Sequence, residues 1–193
     1  MSAKNKWEFY QKLCSIYLHP EELVLGGVEP RLVQHGKNLD LHFAEWMMLQ
    51  DGLSYFPDDI LAKVDRAAMA VSLETRTPFT DPKLMEFAWQ LPLNMKIHNG
   101  ESKWLLRQVL YRHVPKALIE RPKAGFSIPI GDWLRGPLKD WAADLLSPEK
   151  LKQQGFLNSA TVEAMWNLHQ SKARDVEHQL WNILMFQSWL NKA

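Results

Sequence analysis

Along most of this chain apolar residues recur every three or four positions, the spacing that lines one face of a helix, and no segment alternates long enough to read as a strand. The first such run covers residues 7–18, with Trp7, Tyr10, Leu13, Cys14 and Tyr17 or Leu18 on one side and His19-Pro20 to end it. Residues 21–37 hold Gly26-Gly27, Pro30 and Gly36 and keep no period, so they are expected to be loop. Helix returns over residues 39–53, where Phe43, Trp46, Met47 and Gln50 group together.

The other elements are arranged around residues 58–89. Ile60, Val64, Ala67, Ala68 and Val71 form one face of an amphipathic helix, expected to lean on a core, while Asp59 and Lys63 stand four apart on another face. A charge-rich corner follows, with Glu74, Arg76, Pro78, Phe79 and Asp81. Pro78 denies Thr77 a helical conformation, and Asp81-Pro82 offers an N-cap and a first helical residue for a helix over 83–90.

Farther along, Asn99-Gly100 signals a turn, and Glu101 or Ser102 is expected to start a helix reaching about Arg112, with Leu105 or Leu106, Val109 and His113 as its inner stripe. Residues 116–120 read as one helical turn and 121–130 as a loop held by Pro122, Gly125 and Pro129. Trp133, Leu138, Trp141 and Leu145 predict two short helices, Leu151 a third, and residues 161–170 and 176–192 the last two. The final helix is apolar nearly all round, so it is expected to be buried by this chain or by a partner.

Composition narrows the class of protein. With 193 residues, 46% of them hydrophobic, the chain is globular and expected to fold as a single helical domain over 1–193: looser N-terminal helices over 1–53, a motif-bearing core over 54–138 and C-terminal helices over 139–193. Its 23 basic and 22 acidic residues leave a net charge of +1 without long like-charged runs, so neither nucleic acid nor a membrane is an expected partner. The single cysteine excludes an internal disulfide framework, the seven histidines show no pair at metal-ligand spacing, and the expected compartment is the cytoplasm. The fold class is mainly α, an irregular multi-helix domain.

The order D-R-x-x-M-x-x-x-x-E-x-R-x-P-F-x-D, standing as Asp65, Arg66, Met69, Glu74, Arg76, Pro78, Phe79 and Asp81, resembles the C-terminal synthetase domain of glutamine-dependent asparagine synthetases. GESKWLLRQVLYRHVP (residues 100–115), ERPKAGFSIPIGDWLRGPL (120–138) and LWNILMFQSWL (180–190) are similar to later blocks of that family, in the same order. Thr80 stands where the family usually has leucine, a difference of packing rather than chemistry. The resemblance implies the helical C-terminal part of an adenine-nucleotide α-hydrolase-like (PP-loop) synthetase domain.

The candidate chemistry is cationic. Lys123 lies between stiffening Pro122 and permissive Gly125, two residues after Arg121. Two cations on such a loop suit a phosphate or pyrophosphate, although a lysine on a solvated loop is also ordinary. By resemblance, Lys123 of the R-x-K-x-x-F block (Arg121, Lys123, Phe126) approaches the nucleotide phosphates, and so does Lys103. Following Gly100, Glu101 and Ser102, Lys103 is expected in a first helical turn, where a cation opposes the helix dipole unless an anion is present. Asp58 and Asp59 suit orientation of a substrate amine or relay of a proton, and equally plain capping. Glu74 with Arg76, and Asp65 with Arg66, suit structural ion pairs as well as chemistry.

The resemblance further implies ATP and Mg2+ in the complete enzyme, with aspartate (or a related acid) and glutamine-derived ammonia as the other reactants. The sequence contains neither the S-G-G-x-D-S nucleotide loop nor the acidic S-G-x-G-x-D-E block of such synthetases, and no glutaminase segment. The chain is therefore expected to be a C-terminal fragment or truncated product that is inactive alone, binds no cofactor and self-associates. The alternative is a non-catalytic helical interaction module that uses its nine tryptophans and its apolar last helix.

Overall fold

The computed structural model describes residues 2–28, 33–120 and 128–191. It is mainly helical, and the one sheet among the described residues has two short strands. Two compact units divide the chain: one takes the described residues of Met1–Val33 and Gly125–Ala193, the other those of Gln34–Ala124.

Helix α1, Lys6–Cys14, opens under Asn5, whose side chain accepts from the Glu8 amide at 2.9 Å, and Glu8 pairs with Lys12 across one turn at 2.8 Å. It ends at Cys14 rather than Leu18, because Ser15 turns extended while its amide and its hydroxyl both donate to the Gln11 carbonyl.

In the unit of Gln34–Ala124, α2 (Phe43–Leu53) begins where the His42 ring accepts from the Ala44 amide at 3.2 Å, later than its apolar period suggested. Buried Gln50 grips the preceding loop in both directions: its oxygen accepts from the His35 amide at 3.2 Å and its amide donates to the His35 carbonyl at 2.9 Å. A π-helical turn, Phe56–Leu61, then runs into α3, Ala62–Met69. The corner behaves as its prolines dictate. Thr77 is extended, and the Asp81 carboxylate accepts from the Lys83 and Leu84 amides at 3.0 and 3.1 Å to cap α4, Pro82–Gln90.

After the short α5, Leu93–Lys96, comes a correction. Instead of starting a helix, Glu101–Ser102 forms strand β2, antiparallel to β1, Ile97–His98, with Ile97 opposite Ser102. Asn99 and Gly100 between them both have positive φ, 50° and 81°, the backbone a two-residue hairpin needs and the one those residue types tolerate. Helix α6 is therefore shorter, Trp104–Leu110, and α7 is one turn, Lys116–Ile119. None of α3, α4 and α6 holds a buried residue. The face expected to lean on a core is thus open, with Val64 39% and Val71 75% exposed.

The other unit contains the packed core. Helices α8 (Ile130–Arg135), α9 (Lys139–Leu145), α10 (Pro148–Gln154), α11 (Ser159–Gln170) and α12 (Glu177–Leu190) enclose Leu134, Leu151, Val162, Leu180 and Leu184, all without exposed surface. Full burial of each leucine contributes about 1.5–3 kcal/mol. Gly155, at φ 71°, ends α10 in the left-handed conformation glycine favours, and Asn158 caps α11 through the Ala160 and Thr161 amides. Helix α12 is buried on one face only: Trp189 is 62% exposed. The described residues of Met1–Val33 complete this unit. Val24 bridges Leu157, Asn158 donates its amide to the Leu23 carbonyl at 2.8 Å, and the Tyr17 hydroxyl donates to the Gln179 carbonyl.

Beside this core His169 is wholly buried and fully bonded. Its Nε2 donates to the Gly131 carbonyl at 3.2 Å, which leaves Nδ1 to accept from Arg135 Nη2, also at 3.2 Å. Arg135 Nε donates to the His169 carbonyl at 2.9 Å, and Glu177 accepts from the Gly131 amide at 2.7 Å.

Candidate functional site

Of the cationic candidates, Lys103 falls among the described residues; Arg121, Lys123 and Phe126 lie outside them. Lys103 stands between β2 and α6 as the residue before the helix, with φ 58° and ψ 31°. That corrects the first-turn placement. A lysine held in left-handed backbone costs about 1–2 kcal/mol, so the misfit at this position is one of backbone rather than of charge against a helix dipole.

Lys103 lines a cleft of about 680 Å³ together with Phe79, Trp89, Met95, Leu106 and Val109. The cleft joins two blocks of the sequence, Phe79 coming from the central motif and Lys103 from the next. It also explains the inner stripe expected of α6. Leu106 and Val109 face this opening, 46% and 47% exposed, and His113 is exposed too. At the cleft, Lys96 is already engaged: its ammonium lies 3.7 Å from Glu45 and 5.2 Å from the centre of the Trp89 ring.

The acidic candidates lie elsewhere on the unit. Asp58 and Asp59 sit on the π-helical turn, both exposed, and Asp59 pairs with Lys63 at 3.7 Å, as its spacing of four suggests. Tyr55, the cap residue of that turn, makes no side-chain cap bond. Glu74 and Arg76 pair at 2.5 Å, 70% and 84% exposed, so solvent leaves the pair little energetic weight. Asp65 and Arg66 are exposed on α3, and Asp81 is the α4 cap. None of these charged residues lines the cleft. Among the described residues no group of histidine, cysteine or acidic side chains is placed to hold a metal ion.

One polar cluster was not anticipated. The Glu120 carboxylate accepts from Arg107 Nη1 at 2.6 Å and from the Tyr111 hydroxyl, and Arg107 Nε donates to the Ser102 carbonyl at 3.1 Å. The Tyr111 hydrogen bond, followed by the Arg107 and Lys116 charges, holds the Glu120 carboxyl below the usual carboxylate range. The i, i+4 spacing of Arg107 and Tyr111 was readable, but their meeting with a residue beyond the next helix was not.

The asparagine synthase family model matches residues 4–191, almost the entire chain. The chain belongs to the asparagine synthase family. A provisionally named asparagine synthetase (glutamine-hydrolyzing) of Mycobacterium bovis is 38% identical over 141 residues, 72% of this chain and 21% of the relative. Asparagine synthetase (glutamine-hydrolyzing) 1 of Bacillus subtilis is 30% identical over 143 residues, 74% of this chain and 22% of the relative. Amidase chyE of Penicillium rubens is 27% identical over 133 residues, 65% of this chain and 19% of the relative. The chain thus spans about a fifth of the length of these curated relatives. No solved structure matches it.

Proposed function

We propose that this chain is the helical part of an ATP-dependent, glutamine-dependent synthetase that converts aspartate, or a related carboxylic acid, to its amide in the cytoplasm. Membership of the family, across residues 4–191, is the observation that supports the reading. In the complete enzyme a carboxylate oxygen of the acid attacks the α-phosphorus of ATP and pyrophosphate leaves. Ammonia from glutamine then attacks the acyl carbon and AMP departs. Lys103, which lines the cleft, and Lys123 with Arg121 offset the charge that builds on the phosphates and on the departing pyrophosphate. Asp58 or Asp59 orients the substrate amine or relays a proton. Among the described residues no group of histidine, cysteine or acidic side chains is placed to hold a magnesium ion.

Assayed by itself, the chain should form no amide. The decisive substitution is Lys123→Ala in a full-length synthetase carrying the same R-P-K-A-G-F block. Pyrophosphate release should fall by about two to three orders of magnitude, the usual cost of losing one group aimed at transition-state charge, while glutamate release persists. Unchanged pyrophosphate release would make Lys123 an ordinary surface lysine and overturn the reading.

A second reading, a non-catalytic helical interaction module, is supported by Phe79 at 65% and Trp189 at 62% exposure.

A further inference from the structure

Helices α8 and α11 are tied together at one buried imidazole. His169 Nε2 donates to the Gly131 carbonyl at 3.2 Å, and two groups of opposite charge face Nδ1: Arg135 Nη2 at 3.2 Å and Asp175 Oδ1 at 3.4 Å, themselves 3.7 Å apart. A bare Nδ1 can serve only the guanidinium, as an acceptor, and a protonated Nδ1 can serve only the carboxylate, as a donor. The same arginine ties α8 to α11 a second time, Nε donating to the His169 carbonyl at 2.9 Å, and Gln170 Nε2 donates to the Leu134 carbonyl at 2.9 Å. Other charges stand one step back from the ring. Asp132 lies 3.8 Å from Arg135 Nη1, Glu177 accepts from the Gly131 amide, and His178 lies 3.6 Å from Glu177. Lys172 and Arg174, in the loop that carries Asp175, are exposed, as is Glu163 on α11. Helix α10 also packs on α11, with Glu149 and Lys152 exposed and Lys150 paired with Asp144 at 2.9 Å.

We propose that His169 is a proton-operated clasp: with Nδ1 bare it accepts from Arg135 and holds α8 on α11, and a proton taken from solvent onto Nδ1 ends that bond and lets α8 open in mild acid. Three effects meet at the ring, and two of them oppose its charge. The imidazole has no exposed surface, so charging it in place forfeits hydration. The Arg135 guanidinium, 18% exposed, repels a second cation 3.2 Å away with little screening. Asp175 attracts it, but from a carboxylate 62% exposed, where solvent weakens the attraction. Opening α8 gives the charged ring water and frees Arg135 to move toward Asp132. Acid therefore favours the open form. The clasp is independent of the phosphate assignment, since neither Lys103 nor Lys123 takes part in it.

The test is amide hydrogen exchange of α8 in this chain at pH 8 and pH 5.5, each rate divided by that of an unstructured peptide at the same pH, with α10 as the control. Protection of α8 should fall severalfold at pH 5.5, toward a ceiling of about tenfold, which is what one proton allows one unit below the ordinary imidazole value of about 6.5. Protection of α10 should stay level. His169→Gln, which keeps a donor for the Gly131 carbonyl and takes up no proton, should abolish the fall. His178→Gln, which removes the neighbouring exposed imidazole, should leave it as it was. Asp175→Asn removes the attracting charge but keeps an oxygen for the Glu177 amide, 3.3 Å away, so the fall should be at least as large as in the unchanged chain. Level protection of α8 in the unchanged chain, an equal fall in His169→Gln, or a fall lost in Asp175→Asn or in His178→Gln overturns the clasp. If His169→Gln does not fold, the unchanged chain and the two surface variants still decide it, since each carries its own refuting result.

Discussion

Gly131→Ala probes the packing around buried His169 most directly. Gly131 does not have positive φ, so backbone strain is not at issue. A Cβ at this position would lie 2.4 Å from Glu177 Oε2, 3.2 Å from Arg135 Nη1 and 3.4 Å from His169 Cε1. The carboxylate is the end of a flexible side chain and swings away, which breaks its 2.7 Å bond from the Gly131 amide. A hydrogen bond to a charged group contributes about 1.5–3 kcal/mol, toward the lower end here because the Glu177 side chain is 26% exposed. Alanine regains up to about 1 kcal/mol of helix propensity, less in a first turn. The expected net loss is about 1–2 kcal/mol, read as a lower urea midpoint by circular dichroism. In a Glu177→Ala background the obstacle is gone, and the same substitution should be neutral or stabilising. An equal loss in both backgrounds would show that alanine does not meet the carboxylate, and would refute the reasoning.

Tyr17 gives a pH signature. Burial raises its pKa well above the ordinary value near 10, so its contribution to stability is complete below about pH 10 and is lost as pH rises through the folded-state value. Tyr17→Phe should flatten the alkaline fall of the urea midpoint; an unchanged slope would count against the buried phenol. Self-association makes the third expectation. Exposed Phe79, Phe87 and Trp189 should draw copies together at tens of micromolar, and light scattering that reports a clean monomer would sink that proposal.

Where the helix signal was local, it was legible. Asp81-Pro82 carried a cap and a first residue into the sequence itself, and the α4 that results begins where those residue types place it. The hairpin was missed although Asn99-Gly100 announced a turn, because its strands are two residues long and show no period. The apolar stripes of α3 and α6 were visible, but a stripe records only that a face is apolar. Whether anything covers it depends on residues far away in sequence. The Arg107, Tyr111 and Glu120 meeting escaped for a related reason: two members share a helix face, while the third arrives only after the chain has turned through α7.

The unit with the packed core is discontinuous, and this bears on its birth at the ribosome. The Tyr17 hydroxyl meets its acceptor 162 residues later, and Thr161 reaches back 139 residues to the Glu22 carbonyl. At roughly 5–20 residues per second of synthesis, residues 2–28 wait about 8–30 s for Gln179 to emerge. The intervening unit is contiguous and can close before them. During that wait α1 and the segment up to Val28 are bait for chaperones and for copies on neighbouring ribosomes, so slow codons placed between the two halves would lower the yield of folded chain more than the same codons placed ahead of α1.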